Sequence, residues 1–244
     1  MDLLQIDSGS IHIFGKTHRK ETEAIKQNIG FVYDGDYFYP DLSMEHNKRL
    51  IAPFYKNWND DLFSYYMKYF NLPLKRKVKH LSRGMKIKFS IAIALSHDPE
   101  LIMMDEPTSG LDPVFRRELM DLLQDIMQDE NKSIFFSTHI TADLEKIADY
   151  VTFIHDGEIV SSKEKDEVLD EYAVVKGPNY LLSGNLRTHL QGIKVTDVGF
   201  EGLIRNENKI TDSLQSELLL ERPTLEDIIY YTVKGDKHAA QPDA

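Results

Sequence analysis

The stretch LIMMDEPTSGLDP, Leu101 to Pro113, carries the clearest fold signal in the sequence. Its apolar beginning is typical of a buried strand, and two carboxylates, Asp105 and Glu106, follow where that strand should end. Downstream, helical patterns alternate with the apolar runs SIFFST and VTFIHDGEIV. Strands that alternate with helices predict an α/β fold with a mostly parallel sheet.

A helix is predicted directly after this stretch. Asp112 is placed to cap its first turn, and Pro113 suits the first helical position because no free N–H is needed there. Apolar residues then recur at helical spacing, so one face of the helix should be buried. The members of this apolar face are Phe115, Leu119, Leu122, Leu123 and Ile126.

Two further regions differ in pattern from this α/β core. Residues 41–98 lack strand-like apolar runs and predict an inserted helical subdomain. Within it, MKIKFSI from Met85 alternates as a strand does, whereas its continuation into AIALS favours a buried helix, and periodicity alone does not separate the two. Short strand-like pieces and a final helix near PTLEDIIYYTV then predict an α+β appendage. We therefore predict one domain over residues 1–165 and a C-terminal appendage over 166–244.

Composition limits the possible classes of protein. The chain has 244 residues, of which 41% are hydrophobic and 28% charged, as expected for a soluble globular protein. It shows neither an apolar run long enough to span a membrane nor a signal-peptide pattern. The absence of cysteine excludes disulfides and thiolate metal sites. A net charge of −11 argues against nucleic acid as a partner, and the basic run Lys75 to Lys79 is interpreted as a solvated loop.

The two acids that end the first strand are suited to phosphate hydrolysis. Ligands of open α/β sheets bind at the carboxyl ends of the strands, which is where Asp105 and Glu106 are predicted to lie. Asp105 can hold Mg²⁺ through its water shell, and Glu106 can orient or activate an attacking water. On these two residues alone, an ordinary strand end is an equal alternative.

Two other segments add to this chemistry. His139 follows the strand SIFFST, so neighbouring strand ends would bring it close to Glu106. The segment LSRGM, Leu81 to Met85, is a small turn that opens a helix, where backbone N–H groups and the helix dipole favour an anion. Each segment alone is weak, because a lone histidine is more often structural and many helices begin with serine.

Together, in order and spacing, these segments resemble the nucleotide-binding domains of the ATP-binding-cassette (ABC) family over most of residues 1 to about 165. LSRGM is similar to the family's LSGGQ signature, and LIMMDEP to its Walker B strand with the catalytic glutamate. SGLD, Ser109 to Asp112, is similar to the D-loop, and STH, which ends at His139, to the switch histidine.

This resemblance implies a P-loop NTPase-like fold with ATP and Mg²⁺ as cofactors. It assigns catalytic roles to Glu106, His139 and Asp112, and metal binding to Asp105 and Asp34. The residues assigned to nucleotide binding are those of the signature: Leu81, Ser82, Arg83, Gly84 and Met85.

The stretch SGSIHIFGKT, Ser8 to Thr17, ends in a GKT that resembles a phosphate-binding loop. That loop requires a glycine where this sequence has Ser10, and IHIF alternates as a strand does. We predict a strand followed by a turn at Gly15-Lys16, the arrangement that comes after the phosphate loop, called Walker A, in the ABC family.

The sequence contains no match to the full pattern G-x-x-x-x-G-K-[ST]. We therefore expect the chain to begin just downstream of Walker A, through truncation, a misassigned start or a natural difference. Losing three charge-assisted hydrogen bonds of ~2 kcal/mol each weakens binding about ten-thousandfold. The chain alone is expected not to bind or hydrolyse ATP measurably.

The sequence also departs from the family pattern at two other motifs. Asp34 stands where the Q-loop has Gln, and it can still ligate Mg²⁺ or its waters. In the signature, Arg83 replaces a Gly and Met85 replaces Gln, whereas Ser82 and Gly84 are kept. Contact of the signature with a γ-phosphate therefore remains an expectation.

The family implies two kinds of protein partner. One is a second nucleotide-binding subunit, like or unlike, because each ATP lies between the Walker A of one subunit and the signature of the other. The other is an integral membrane permease, which would hold the chain at the cytoplasmic face of the membrane. The segment Tyr37 to Pro40 is expected either to dock on that permease or to pack under the helical subdomain.

The signature together with PTLEDIIYY resembles the ATPase subunits of exporters, including those for peptides or antibiotics. The expected function is therefore that of an ATP-hydrolysing subunit that energises such an exporter. A non-catalytic regulatory relative that binds a partner is the alternative. A family member that acts on DNA or ribosomes would usually show coiled-coil insertions or two cassettes, and neither pattern occurs in the sequence.

Overall fold

The computed structural model describes residues 6–33, 35, 37–182, 185–206 and 217–239. The chain divides into two compact units, Met1–His139 and Ile140–Ala244. Each unit has its own sheets and helices and is described by itself below. The predicted division into an ABC ATPase domain over residues 1–165 and an appendage over 166–244 is a functional division, which these compact units do not test. It stays a prediction.

The first unit is built from short strands and longer helices. Its elements are, in chain order, β1 (His12–Ile13), β2 (Lys16–Thr17), α1 (Thr22–Gln27), β3 (Ile29–Val32), α2 (Met44–Ile51), α3 (Asp60–Tyr69), α4 (Arg83–Leu95), β4 (Leu101–Asp105), α5 (Pro113–Ile126) and β5 (Ser133–Ser137). Two 3₁₀ turns, Ala52–Phe54 and Val78–His80, lie among the helices.

A parallel sheet of three strands forms the centre of the first unit, with β4 between β3 and β5. Ile102 and Met104 of β4 are buried on it. The register pairs Asp105 with Ser137, so the carboxyl ends of β4 and β5 meet at one edge. The predicted α/β fold with a parallel sheet is confirmed.

Residues 41–98 contain helices and 3₁₀ turns, as their pattern predicts. The ambiguous segment MKIKFSI lies within α4, which confirms the helix that its length favoured. Ser82 caps this helix by accepting a hydrogen bond from the N–H of Met85, and the side chains from Phe89 to Leu95 are buried. An alternating pattern is compatible with a helix here because the second half of α4 is buried on every side.

Helix α5 agrees with the prediction in its cap and in its buried face. Oδ1 of Asp112 accepts hydrogen bonds from the N–H groups of Val114 at 3.1 Å and Phe115 at 3.0 Å. The predicted face is buried at Phe115, Leu119, Leu122 and Leu123, Met120 joins it, and Ile126 is half-buried.

The stretch that ends in GKT forms a short β-hairpin with a two-residue turn. His12 pairs with Thr17 and Ile13 with Lys16, while Phe14 and Gly15 make the turn with φ of 54° and 70°. Two central residues with positive φ are characteristic of a type I′ turn. The prediction of a strand and turn is confirmed, but the turn is Phe14-Gly15, and Lys16 begins the second strand. Left-handed φ at a bulky aromatic residue is uncommon, so propensity did not predict it.

The second unit is mostly antiparallel. Its elements are α6 (Thr141–Ile147), β6 (Tyr150–His155), β7 (Glu158–Glu164), α7 (Lys165–Glu171), β8 (Tyr172–Gly177), a 3₁₀ turn (Asn179–Leu181), α8 (Asn185–His189), β9 (Leu190–Val195), β10 (Phe200–Arg205), β11 (Leu219–Glu221) and α9 (Leu225–Ala239). Strands β6 and β7 form a hairpin, and the other four form a sheet in the order β11-β8-β10-β9. Separate apolar clusters are centred on Leu203 and on Val175.

The final helix predicted near PTLEDIIYYTV is α9. Thr224 and Asp227 exchange hydrogen bonds at its start, and Tyr231 is buried. None of the helices in the described part of the chain is long and apolar enough to cross a membrane.

Candidate functional site

The carboxyl end of β4 carries the two predicted acids, and the structure connects the first of them to β5. Oδ1 of Asp105 accepts a hydrogen bond of 2.6 Å from the hydroxyl of Ser137. The parallel register creates this contact, because it sets Asp105 and Ser137 directly opposite each other. The Asp105 carboxylate is therefore held in place at the sheet edge.

Glu106 is the residue at which the chain leaves β4. Its φ is 46°, and its N–H donates to the carbonyl oxygen of Ser137 at 3.1 Å. A left-handed conformation at a residue other than glycine is unfavourable and is frequent at functional sites. The backbone of Glu106 is thus fixed to β5 while it turns sharply away from the strand.

The predicted proximity of Glu106 and His139 is present in the structure. Nδ1 of His139 lies 2.8 Å from Oε2 of Glu106, and the side chains are 70% and 27% exposed, respectively. The contact lacks hydrogen-bond alignment. Oε2 is shielded from solvent and accepts no hydrogen bond from any described residue. A carboxylate oxygen that is shielded from solvent and lacks a donor is uncommon in folded proteins.

The donor set at this edge limits how a metal ion could bind. The described residues contain no group of three or more His, Asp and Glu side chains that could hold a metal by themselves. Asp105 fits as a single carboxylate ligand, the usual arrangement for Mg²⁺ that is held mainly by waters and substrate phosphates. The residues present therefore fit a magnesium ion that arrives with a phosphorylated ligand.

The loop 106–112 connects Glu106 to helix α5 through a series of turns. The N–H of Ser109 donates to the carbonyl of Glu106, and the N–H of Leu111 to that of Thr108, both at 3.2 Å. Thr108 is buried, and Gly110 has a φ of +66°. Asp112 ends the loop with its Oδ1 engaged in the helix cap, so the structure shows a structural use of this predicted catalytic residue.

The signature residues 81–85 form the turn that opens α4. Leu81 is buried, and Oγ of Ser82 accepts from the N–H of Met85 at 3.3 Å. A methyl group on Gly84 would lie 3.6 Å from Phe115 and 3.9 Å from Leu111. The first turn of α4 therefore packs beside the end of the loop 106–112.

An open cavity of about 250 Å³ lies next to the signature. Its walls include Tyr33, Tyr37 and Phe38 together with Arg83 and Lys86. Tyr37 is 43% exposed, but its hydroxyl contacts the buried Ser90, and desolvation of this end of the side chain raises the pKa of Tyr37 above the ordinary value. Of the segment predicted to dock or pack, Phe38 is buried and Tyr39 exposed, so its residues differ in environment.

The predicted site and the observed site differ at two further residues. Asp34, the predicted second magnesium ligand, lies outside the described residues. Ser137, which holds Asp105, was not predicted as part of the site. Its signal in the sequence was a polar residue at the end of a buried strand pattern, two positions before His139.

Comparisons with known proteins agree with the motifs. A sequence model of the family described as "ABC transporter" matches residues 1–109. The chain is 34% identical over 164 residues to the bacitracin transport ATP-binding protein BcrA of Bacillus licheniformis, which covers 66% of this chain and 53% of BcrA. It is 30% identical over 212 residues to the uncharacterized ABC transporter ATP-binding protein YdbJ of Bacillus subtilis, covering 82% and 69%. The chain thus spans about half the length of BcrA.

A solved structure shows the same fold. The structure of an ATP binding subunit of an ABC transporter superposes with a TM-score of 0.62 and 26% identity, covering 68% of this chain and 71% of that one. The relatives point to the same family as the site at the end of β4 and the signature at the start of α4. The chain therefore belongs to the ATP-binding domains of the ABC transporter family.

Proposed function

We propose that the chain is the ATP-hydrolysing subunit of an ABC exporter of the peptide or antibiotic type. The observation that carries this proposal is the group formed by Asp105, Glu106 and His139 at one sheet edge, with a carboxylate oxygen that lacks a donor. The similarity to BcrA, which is named for bacitracin transport, supports the exporter class.

In the proposed mechanism each residue at the sheet edge has a separate role. Bound Mg²⁺ would neutralise charge that develops on the phosphates, and Asp105 is the residue that would hold its water shell. The Glu106 carboxylate accepts a hydrogen bond from the attacking water and orients it toward the γ-phosphate. Nδ1 of His139 lies 2.8 Å from Oε2 of the same carboxylate and so borders the reaction site, and the products are ADP and phosphate.

The other predicted residues have supporting roles. Leu81 to Met85 present the N-terminus of α4, a helix of 13 residues, to the γ-phosphate of an ATP held by a second nucleotide-binding subunit. Asp112 acts through the loop that it anchors. The proposed role of Asp34 at magnesium rests on the family resemblance.

We further propose that residues 1–244 alone bind ATP too weakly to measure at micromolar concentrations. The only GKT lies in the hairpin β1-β2, where Gly15 is part of a tight turn and Lys16 is in a strand. Titration calorimetry of the purified chain with MgATP should show no heat of binding in the micromolar range. A dissociation constant in that range would contradict this part of the proposal.

The proposed partners are an integral membrane permease and a second nucleotide-binding subunit, at the inner face of the cell membrane. The cavity beside the signature and the exposed ring of Tyr39 are the features of the first unit that suit docking to the permease. The experiment that tests this role is crosslinking of the chain in membranes, with a photoreactive residue at position 39. A crosslink to a multi-span subunit is expected, and none should form from exposed position 124 on the helix α5.

The enzymatic part is tested by the magnesium-dependent ATPase rate of the assembled transporter. Asp105→Asn should lower the rate about 100-fold, because the ion loses its charged protein ligand. The matched control is Asp121→Asn, an exposed aspartate on α5 that lies outside the site. An Asp105→Asn rate equal to that of the control would favour the non-catalytic regulatory relative.

A further inference from the structure

Arg83, the signature residue that departs from the family pattern, lies against the loop 106–112. Gly110 of this loop adopts a φ of +66°. A methyl group on Gly110 would lie 2.5 Å from Nη1 and 3.2 Å from Cζ of Arg83. The guanidinium end of Arg83 therefore occupies the space that a side chain at position 110 would take.

The loop needs such a support at its middle. Its ends are fixed, since Thr108 is buried and Asp112 caps α5, whereas Gly110 is exposed. Glycine is also the residue with the widest choice of backbone conformations. A side chain that packs on Gly110 would restrict the part of the loop that is least restricted by its own bonds.

The surroundings of Arg83 are a packed face and not an isolated contact. Five residues further along α4, Nζ of Lys88 lies 4.2 Å from the centre of the Phe115 ring and 3.5 Å from Glu118. Gly84 is within van der Waals reach of Phe115 and Leu111. The start of α4 and the segment 110–118 thus contact each other at several points.

We propose that Arg83 is a positioning residue that holds the loop 106–112, and through it Glu106, by covering Gly110. The link runs through the N–H of Ser109, which donates to the carbonyl of Glu106. The effect on catalysis rests on the proposed function, whereas the hold on the loop does not. Arginine suits the role because its planar guanidinium lies at the end of a long stem and packs as a broad surface.

Hydrogen exchange of the chain itself tests the hold on the loop. Arg83→Ala should speed exchange of the Ser109 and Leu111 amides about fivefold, because the hydrogen-bonded turns open more often. Arg83→Lys should fall between Arg83→Ala and the wild type, since it keeps the stem and charge but lacks the planar group. Lys86→Ala, a change to the next cation in the same helix, is the control and should leave these amides unaffected.

Gly110→Ala is a supporting variant: the added methyl displaces the guanidinium, and it also strains the backbone because φ at position 110 is +66°. It should speed exchange of the same two amides while the protection of β4 stays the same. Exchange at Ser109 and Leu111 that is equal in wild type and Arg83→Ala would overturn the proposal.

In the assembled transporter, Arg83→Ala should lower kcat about tenfold and leave KM for ATP within about twofold, with partial recovery in Arg83→Lys. Faster exchange without a change in kcat would show that the loop is held but that the hold does not serve Glu106. Turnover that survives loss of the Glu106 carboxylate would contradict the proposed function and leave the exchange result standing. The two failures are therefore distinguishable.

Discussion

Among single residues, Glu106 has an unfavourable backbone conformation at the candidate site. Its φ of 46° costs roughly 1–2 kcal/mol for a residue with a side chain. The N–H of Glu106 is nevertheless bonded to the Ser137 carbonyl, so the surrounding structure imposes this conformation. The carboxylate at this position is thus kept at the expense of local stability.

A stability measurement can separate the backbone conformation from the carboxylate. Glu106→Gly should raise the free energy of unfolding by about 1 kcal/mol, because glycine adopts positive φ without strain. Gln124→Gly, at an exposed position in α5, should lower it by about 1 kcal/mol. Urea unfolding of both variants gives the comparison, and a destabilised Glu106→Gly variant would show that the strain is absent.

Some residues of the site could be predicted from the sequence, whereas one contact between them could not. Asp105, Glu106 and His139 were predictable because each follows an apolar strand pattern, and parallel strands end at the same edge. The contact between Asp105 and Ser137 was not, because it depends on which strands are neighbours and on their register. Periodicity carries neither kind of information.

At the scale of elements, helix α5 shows how a local signal fixes both a boundary and a site. Oδ1 of Asp112 bonds two N–H groups of the first turn, and Pro113 occupies the first helical position. The cap therefore fixes the end of the loop that begins at Glu106. The start of α5 was predicted from these same residues, since capping is decided within a few positions of the chain.

The cap and the proposed catalytic role of Asp112 can be tested separately. Asp112→Ala should lower the free energy of unfolding by about 1 kcal/mol, and Asp112→Asn should lower it much less, because asparagine also caps helices well. Thermal unfolding of both variants measures the difference. If the two variants lose equal stability, the carboxylate contributes through its charge and not through capping.

Other elements could not be derived from the sequence. The order β11-β8-β10-β9 joins strands that are far apart along the chain, such as Leu219–Glu221 and Tyr172–Gly177. Short strand-like pieces predicted an α+β region but not their partners, because pairing depends on contacts that no local pattern encodes. The helix α4 was assigned from its length, and its alternating residues would also suit a strand.

At the scale of the whole molecule, several tyrosines connect stability to pH. Burial raises the pKa of Tyr37 and Tyr55 above the ordinary value of 10.0. The pKa of Tyr231 is also raised, by burial and then by the contact of its hydroxyl with Glu201. The folded state thus favours the neutral hydroxyl, so this contribution is fully present below pH 10 and is lost as the pH rises further.

Stability should therefore fall above about pH 10, by at most about 1.4 kcal/mol per pH unit for each tyrosine and by less where solvent screens the hydroxyl. Tyr231→Phe should be less stable at neutral pH, because Glu201 loses its donor, and its stability should decline less steeply at alkaline pH. Urea unfolding from pH 8 to 11 measures both effects. Tyr65→Phe, at an exposed tyrosine, is the control. Parallel curves for wild type and Tyr231→Phe would contradict the assignment.

The proposed role of Glu106, orienting the attacking water, is tested by the nucleotide content of the Glu106→Gln variant. In the transporter assembled with the full-length protein, this variant should turn over at least about 100-fold more slowly than wild type. After incubation with MgATP and removal of free nucleotide, it should retain unhydrolysed ATP in a dimer of nucleotide-binding subunits. Unchanged turnover together with ADP as the only retained nucleotide would contradict the account, since another residue would then serve the water.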